Sequence, residues 1–131
     1  MRVWIAGALM AWAPVVVAAE TGIEKTIETQ IEAFQNEDAM AAFSFASPSI
    51  QKFFGAPDTF AEMVRQGYPM VWRPDEVRFL DRREIAGNLW QRVLIRDGQG
   101  VLHVLDYQMV RIDGAWRINS VQILGAPRAG A

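Results

Sequence analysis

The chain has 131 residues, 51% of them apolar and therefore enough for one ordinary core, and its 13 basic and 15 acidic residues leave a net charge of −2. That near-balance, with no basic run interleaved with aromatics, argues against a nucleic-acid partner. Absence of cysteine excludes disulfides, thiolate metal sites and cysteine nucleophiles, and a single histidine, His103, excludes a two-histidine metal site within the chain.

Arg2 precedes an apolar run from Val3 to Ala19 that closes on Val17-Ala18-Ala19, small residues of the kind a signal peptidase cuts behind. Residues 1–19 are therefore predicted to be a removed signal peptide, with Glu20 as the mature N-terminus and the periplasm as the expected compartment of an exported protein. A retained anchor is the weaker reading, because the run is Ala-rich, broken by Pro14, and shorter than the roughly 20 residues that span a bilayer. No second apolar run follows, so no stable membrane insertion is expected after cleavage. About 112 residues remain, one domain's worth, predicted as a single domain over 20–126 and a loose Ala-Gly-rich tail at 127–131. From Glu20 to Glu62 eight acids face only Lys25 and Lys52, whereas from Met63 onward ten arginines face seven acids.

Helices come first. Thr21 and Glu24 form a capping-box pattern, and Ile23, Ile27, Ile31 and Phe34 then fall on one face of a helix that runs to about Glu37. Glu24, Glu28 and Glu32 make a second stripe, which reads as a solvated outer face rather than a cation site. Asp38 can cap a short helix bearing Met40 and Phe43. Ser47-Pro48 marks another start, a side-chain cap followed by proline at the first helical position, and Phe53-Phe54 end that helix at Gly55. Thr59 and Glu62 offer a further capping box for a helix carrying Phe60, Met63 and Val64 and closing at Gly67. Pro69 and Pro74 bracket Met70-Val71-Trp72, which is expected to be extended but not a central strand.

From Val77 the pattern changes to strands over about 77–86, 89–96, 101–112 and 116–124, separated by Gly87-Asn88 and by the tight-turn dipeptides Asp97-Gly98 and Asp113-Gly114. The fold class is thus α+β, with N-terminal helices packed on a curved four-stranded antiparallel meander. On the third strand, Leu102, Val104, Asp106, Gln108, Val110 and Ile112 share one face and Val101, His103, Leu105, Tyr107, Met109 and Arg111 the other. Both faces are largely apolar, which suggests a second burial surface, such as a homodimer through the sheet; the alternative is an ordinary sheet with scattered exposed apolar residues.

Helices followed by a curved meander resemble the nuclear transport factor 2 superfamily, also described as cystatin-like or SnoaL-like. Within it, Phe43-Ser44-Phe45-Ala46-Ser47-Pro48-Ser49-Ile50 and the stretch from Phe60 through Gly67-Tyr68-Pro69-Met70-Val71-Trp72-Arg73-Pro74 resemble exported bacterial proteins catalogued as domain of unknown function 4864. Gln30-Ile31-Glu32-Ala33-Phe34, Trp90-Gln91-Arg92-Val93 and Gly114-Ala115-Trp116-Arg117-Ile118 add to the likeness. The resemblance implies helices that close the mouth of a conical sheet around a pocket. It implies no single activity, because the superfamily spans isomerases, cyclases, dehydratases, binding domains and assembly domains.

An isomerase-type site needs a carboxylate base and hydrogen-bond donors aimed at one substrate oxygen. Asp106 and Tyr107 cannot share a pocket, because neighbours on a strand face opposite ways. His103 and Tyr107 share a face, but four residues of strand separate them by roughly 13 Å. His103, Tyr107 and Asp81 stand as the catalytic candidates, with structural roles as their alternatives. For Asp81 and Asp106 that alternative is pairing with Arg78, Arg82, Arg92 or Arg117. Ser44, Ser47 and Ser49 lack a Gly-x-Ser-x-Gly elbow, which argues against a serine hydrolase. Phe45, Tyr68, Trp72, Trp90, His103, Tyr107 and Trp116 are candidate pocket walls, with packed core as their alternative and Tyr68 placed at the pocket mouth. No metal or cofactor is expected. The sequence favours a noncatalytic exported domain that binds a small apolar ligand or a protein partner. The alternative is a small-molecule isomerase, cyclase or dehydratase with its site inside the cone.

Overall fold

Helix α1 (Ala13–Gln35) carries the expected stripe into the core: Ile23, Ile27, Ile31 and Phe34 are each no more than 3% exposed. The computed structural model describes the backbone of residues 13–125 and the side chains of residues 22–125. Residues 1–12 of the expected signal peptide and the expected tail at 127–131 lie outside the described residues. Because α1 already runs through Thr21, the Thr21–Glu24 capping box does not begin it.

Four short helices follow, and proline sets the start of three. In α2 (Ala39–Ser44) the Ala41 N–H donates to Asp38 Oδ1 at 3.1 Å, the expected cap. In α3 (Pro48–Phe54) the Ile50 N–H donates to Ser47 Oγ at 3.3 Å, again as expected. Helix α4 (Pro57–Gly67) departs from the expectation: Pro57 opens it, so Thr59 sits inside rather than at the cap. Glu62 is held instead by Arg65 and Gln66.

The segment after Pro69 is not extended but a single helical turn, α5 (Pro69–Trp72). Proline at the first helical position needs no N–H partner, the Val71 and Trp72 N–H groups donate to Tyr68 O at 2.9 and 3.1 Å, and the Arg73 N–H donates to Pro69 O at 3.0 Å. That turn buries Met70 and Val71, which an extended segment would point to opposite sides.

The strands β1 (Pro74–Ile85), β2 (Asn88–Asp97), β3 (Leu102–Ile112) and β4 (Ala115–Gly125) form one antiparallel sheet in the order β1-β2-β3-β4. The α+β class and the helices packed on a curved four-stranded meander are as expected. Two turns place consecutive residues at positive φ, Ala86 at 52° with Gly87 at 82° and Asp113 at 51° with Gly114 at 83°, the geometry of a tight hairpin turn. The first of them turns at Ala86-Gly87 rather than at Gly87-Asn88. The Asp97-Gly98 link is longer than a two-residue turn, because Asp97 Oδ1 accepts the N–H of both Gln99 and Val101 at 2.9 Å and shapes a wider loop.

Register shifts mark bulges in β1 between Phe79 and Arg82 and in β4 opposite Gln108 and Met109. The β1 bulge explains a buried glutamine: Gln91 donates to Leu80 O at 3.0 Å, a carbonyl the interrupted ladder leaves over, and accepts from the Arg82 side-chain Nε at 3.0 Å. At β4 the edge is joined by the α2–α3 link, where the Ile118 N–H donates to Phe45 O at 2.9 Å and the Ser47 N–H donates to Ile118 O at 2.8 Å.

The helix-facing side of the sheet carries Val93, Ile95, Leu105, Tyr107 and Met109, all buried against α1. The opposite side is only partly apolar, since Asp106 is buried there beneath Arg83, which donates to its two oxygens at 2.9 and 2.6 Å. Arg83 was not among the arginines expected to pair with Asp106. Its register opposite Trp90, on the far side of the bulge, brings it there. Replacing Asp106 by Asn would remove the carboxylate that accepts both of these hydrogen bonds and leave Arg83 only exposed Asp81, 3.7 Å away, as counter-charge. Chemical denaturation is expected to show a loss of about 2 kcal/mol, and an unchanged midpoint would contradict the assignment.

Candidate functional site: an apolar cavity between the helices and the sheet

A cavity of about 260 Å³ lies where α1, α3, α4 and α5 meet β3 and β4. Short helices with bulky apolar faces cannot fill a curved sheet completely. Phe34 of α1, Phe60 and Val64 of α4 and Val71 of α5 make one wall, while Tyr107 and Ile118 come from the sheet. Phe34, Phe43 and Phe54 each stack on Phe60 with ring centroids 5.5–5.9 Å apart, so the wall is a connected aromatic cluster. Ile50, Phe54, Met63 and Tyr68 are only half-buried and mark the side from which the cavity is approached.

The rim is fixed by polar contacts. Tyr68 Oη donates to Val121 O at 3.0 Å and ties the end of α4 to the edge strand. Ser47, besides capping α3, donates to Asn119 Oδ1 at 2.7 Å, and Asn119 Nδ2 donates to Gln108 Oε1 at 2.8 Å. Gln30, which also lines the cavity, donates to Ala42 O at 3.1 Å. Helix α3 thus sits over the cavity tied to β4 through its cap Ser47, while none of its own residues is fully buried.

Tyr107 is the chemical exception in this wall. Its side chain is buried, and its hydroxyl has no hydrogen-bond partner among the described residues. Burial, with Tyr68 nearby, raises its pKa above the ordinary phenol value. The group therefore remains a neutral O–H at physiological pH, a hydrogen-bond donor and not a base. Among the described residues no aspartate, glutamate, lysine, arginine or histidine lines the cavity.

Of the seven sequence-derived wall candidates, Tyr68 and Tyr107 line the cavity and Phe45, Trp72, Trp90, His103 and Trp116 do not. Trp72 lies beyond Phe34, ring centroids 5.5 Å apart, with the Arg73 guanidinium over its face. Trp116 packs on α1, where a Cβ at Gly22 would meet its Cδ1 at 3.1 Å. Trp90 pairs across the sheet with Gln108 and shares the Arg83 face. Phe45 is held by its backbone to Ile118.

The three catalytic candidates are not brought together. His103 pairs with Asp97, Nε2 to Oδ2 at 2.9 Å, at the β2–β3 end. Asp81 is exposed on β1, 3.7 Å from Arg83 and 3.5 Å from Arg92. Only Tyr107 reaches the cavity. Among the described residues no three histidine, aspartate or glutamate side chains gather into a metal-binding group.

Sequence reasoning missed Phe34, Ile50, Phe54, Phe60 and Val64 as cavity residues. Their helical spacing does place them inward, but an inward apolar residue reads the same whether it meets another side chain or a void.

A family model described as Domain of unknown function (DUF4864) matches residues 17–131. Comparison with curated proteins found no match.

Two outcomes are expected here. Tyr107→Phe removes an unpaired buried hydroxyl at constant ring volume, so ligand-free protein should gain about 1 kcal/mol in denaturant unfolding; a clear loss would mean the hydroxyl has a partner. Asp97 is held below its ordinary 3.8, first by the His103 hydrogen bond and then by the Val101 N–H. Its ionised form therefore supports the loop fully above that ordinary value, and the support is lost as pH falls through the lowered one. Hydrogen-exchange protection of Gln99 and Val101 should drop on such acidification, and Asp97→Ala should show the drop at neutral pH. Equal protection in both proteins would refute this.

Proposed function

The chain belongs to the family of domain of unknown function 4864, and from that premise and the cavity we propose that it is a noncatalytic, exported domain of the nuclear transport factor 2-like type that holds a small apolar ligand between its helices and its sheet. The observation that carries this reading is a cavity walled largely by aromatic and aliphatic side chains, with two tyrosines as its only ionisable groups among the described residues. At about 260 Å³ it has the volume of roughly nine water molecules at liquid density, which suits a compact molecule of one or two rings. Export rests on Arg2 and the Val3–Ala19 run, and the superfamily on helices preceding a curved meander.

The alternative, an isomerase, cyclase or dehydratase, finds less support. A proton-abstracting base would come from a carboxylate or a histidine, and among the described residues neither kind of side chain lines the cavity. A homodimer through the sheet accompanies the binding reading, supported by exposed Leu80, Ile85 and Leu102 along the sheet.

Native mass spectrometry of gently purified protein tests both parts, because it records assembly mass and any retained molecule together. The expected spectrum is a dimer with added small-molecule mass, and Ile50→Trp, which fills the cavity from α3, should abolish the added mass. A bare mass that stays bare after incubation with compact apolar compounds would count against the ligand reading, and a monomer against the dimer.

A further inference from the structure

We infer that the ligand is a neutral, compact, largely apolar molecule with one hydrogen-bond acceptor, a carbonyl or ether oxygen, which the Tyr107 hydroxyl binds. The inference rests on the cavity reading above and adds the chemistry of the occupant.

Three features converge on it. The Tyr107 hydroxyl is an unpartnered donor on a fully buried side chain that lines the cavity, and a buried hydroxyl without a partner is unfavourable until an acceptor meets it. Its neighbour Tyr68 already donates to Val121 O, so Tyr68 is occupied and Tyr107 is the phenol left to serve a ligand. Among the described residues no cationic or anionic side chain lines the walls, so a carboxylate, phosphate or ammonium would enter without a counter-charge from them and lose its hydration. Orientation follows as well. The acceptor lies at the fully buried end by Tyr107, and the apolar body extends along Phe60 and Val64 toward half-buried Ile50, Phe54 and Met63.

A matched set of probes separates these statements. Tetralin, 1-tetralone and tetralin-1-carboxylate share one bicyclic body and differ in carrying no acceptor, one neutral acceptor, or a charge. Their affinities are to be measured by heteronuclear NMR titration at neutral pH on the unaltered protein and on Tyr107→Phe. The ketone should bind about tenfold more tightly than the hydrocarbon, the net worth of one well-made buried hydrogen bond. The carboxylate should bind most weakly. In Tyr107→Phe the ketone's advantage should vanish while tetralin binds at least as well as before. Equal binding of ketone and hydrocarbon by the unaltered protein, a preference that survives in Tyr107→Phe, or a carboxylate that binds as tightly as the ketone would each overturn the inference and leave the cavity reading standing. Absence of cavity resonance shifts with all three compounds would overturn the cavity reading itself.

Discussion

The contact of one helix face with one sheet face is the constraint on which the rest of the structure depends. Ile23, Ile27, Ile31 and Phe34 of α1 lie against Val93, Ile95, Leu105, Tyr107 and Met109, and every one of these side chains is buried. Each fully buried aliphatic or aromatic side chain contributes roughly 1.5–3 kcal/mol relative to exposure. With no cysteine anywhere in the sequence, cross-links lend nothing to this sum. The four short helices after α1 could not stand alone at such lengths. Each is placed by a cap, a proline or a tether back to the α1–sheet contact.

The cavity is a product of the same arrangement. Helix α1 lies against β4 and α5 against β1 and β2, while α3 touches β4 and α4 joins α3 to α5. The wall they leave is lined by rings, whose rigid shapes meet at tilted angles instead of closing up. Tyr107 stands on the floor, on the same strand and face as Leu105 and Met109. A leucine or phenylalanine there would satisfy the fold. The phenol keeps the shape and adds an O–H that has no partner among the described residues, at some cost to stability, as the proposed binding role would require.

Much of this was legible in the sequence, and the failures share a physical cause. Asp38 and Ser47 were readable as caps because a short polar side chain followed by helix-forming residues has few other local uses. Asp113-Gly114 was readable because both positions tolerate positive φ. The order of four strands followed from turn signals and alternation. What failed was whatever depended on a choice between two acceptable local states. Thr59 and Glu62 lost the cap to Pro57, and Asp97 used its carboxylate to widen a loop that a two-residue turn could also have closed. Met70-Val71-Trp72 coiled because burial of Met70 and Val71 on one side outweighed the extended tendency next to Pro74. Arg83 reached Asp106 only because a bulge shifted the register of β1, and no local pattern announces a bulge. The cavity was hidden for a related reason: emptiness is a property of packed neighbours and has no residue of its own.

The charged first strand is also an open edge of the sheet, a place where a strand of another copy could add. At the β1 edge the sheet ends, and the backbone groups of that strand that face away from β2 have no ladder partner within it. An edge of this kind recruits strands from other molecules into fibrillar aggregates when it is flat and apolar. Strand β1 is neither. It starts with a proline, is bent by its bulge, and seven of its 12 residues are ionisable, with Asp75, Glu76, Asp81 and Glu84 set among Arg78, Arg82 and Arg83. A second β1 laid antiparallel along it would have to desolvate those charges and match the bend. The arginine that neutralises buried Asp106 thus belongs to a strand whose composition also keeps the sheet from growing.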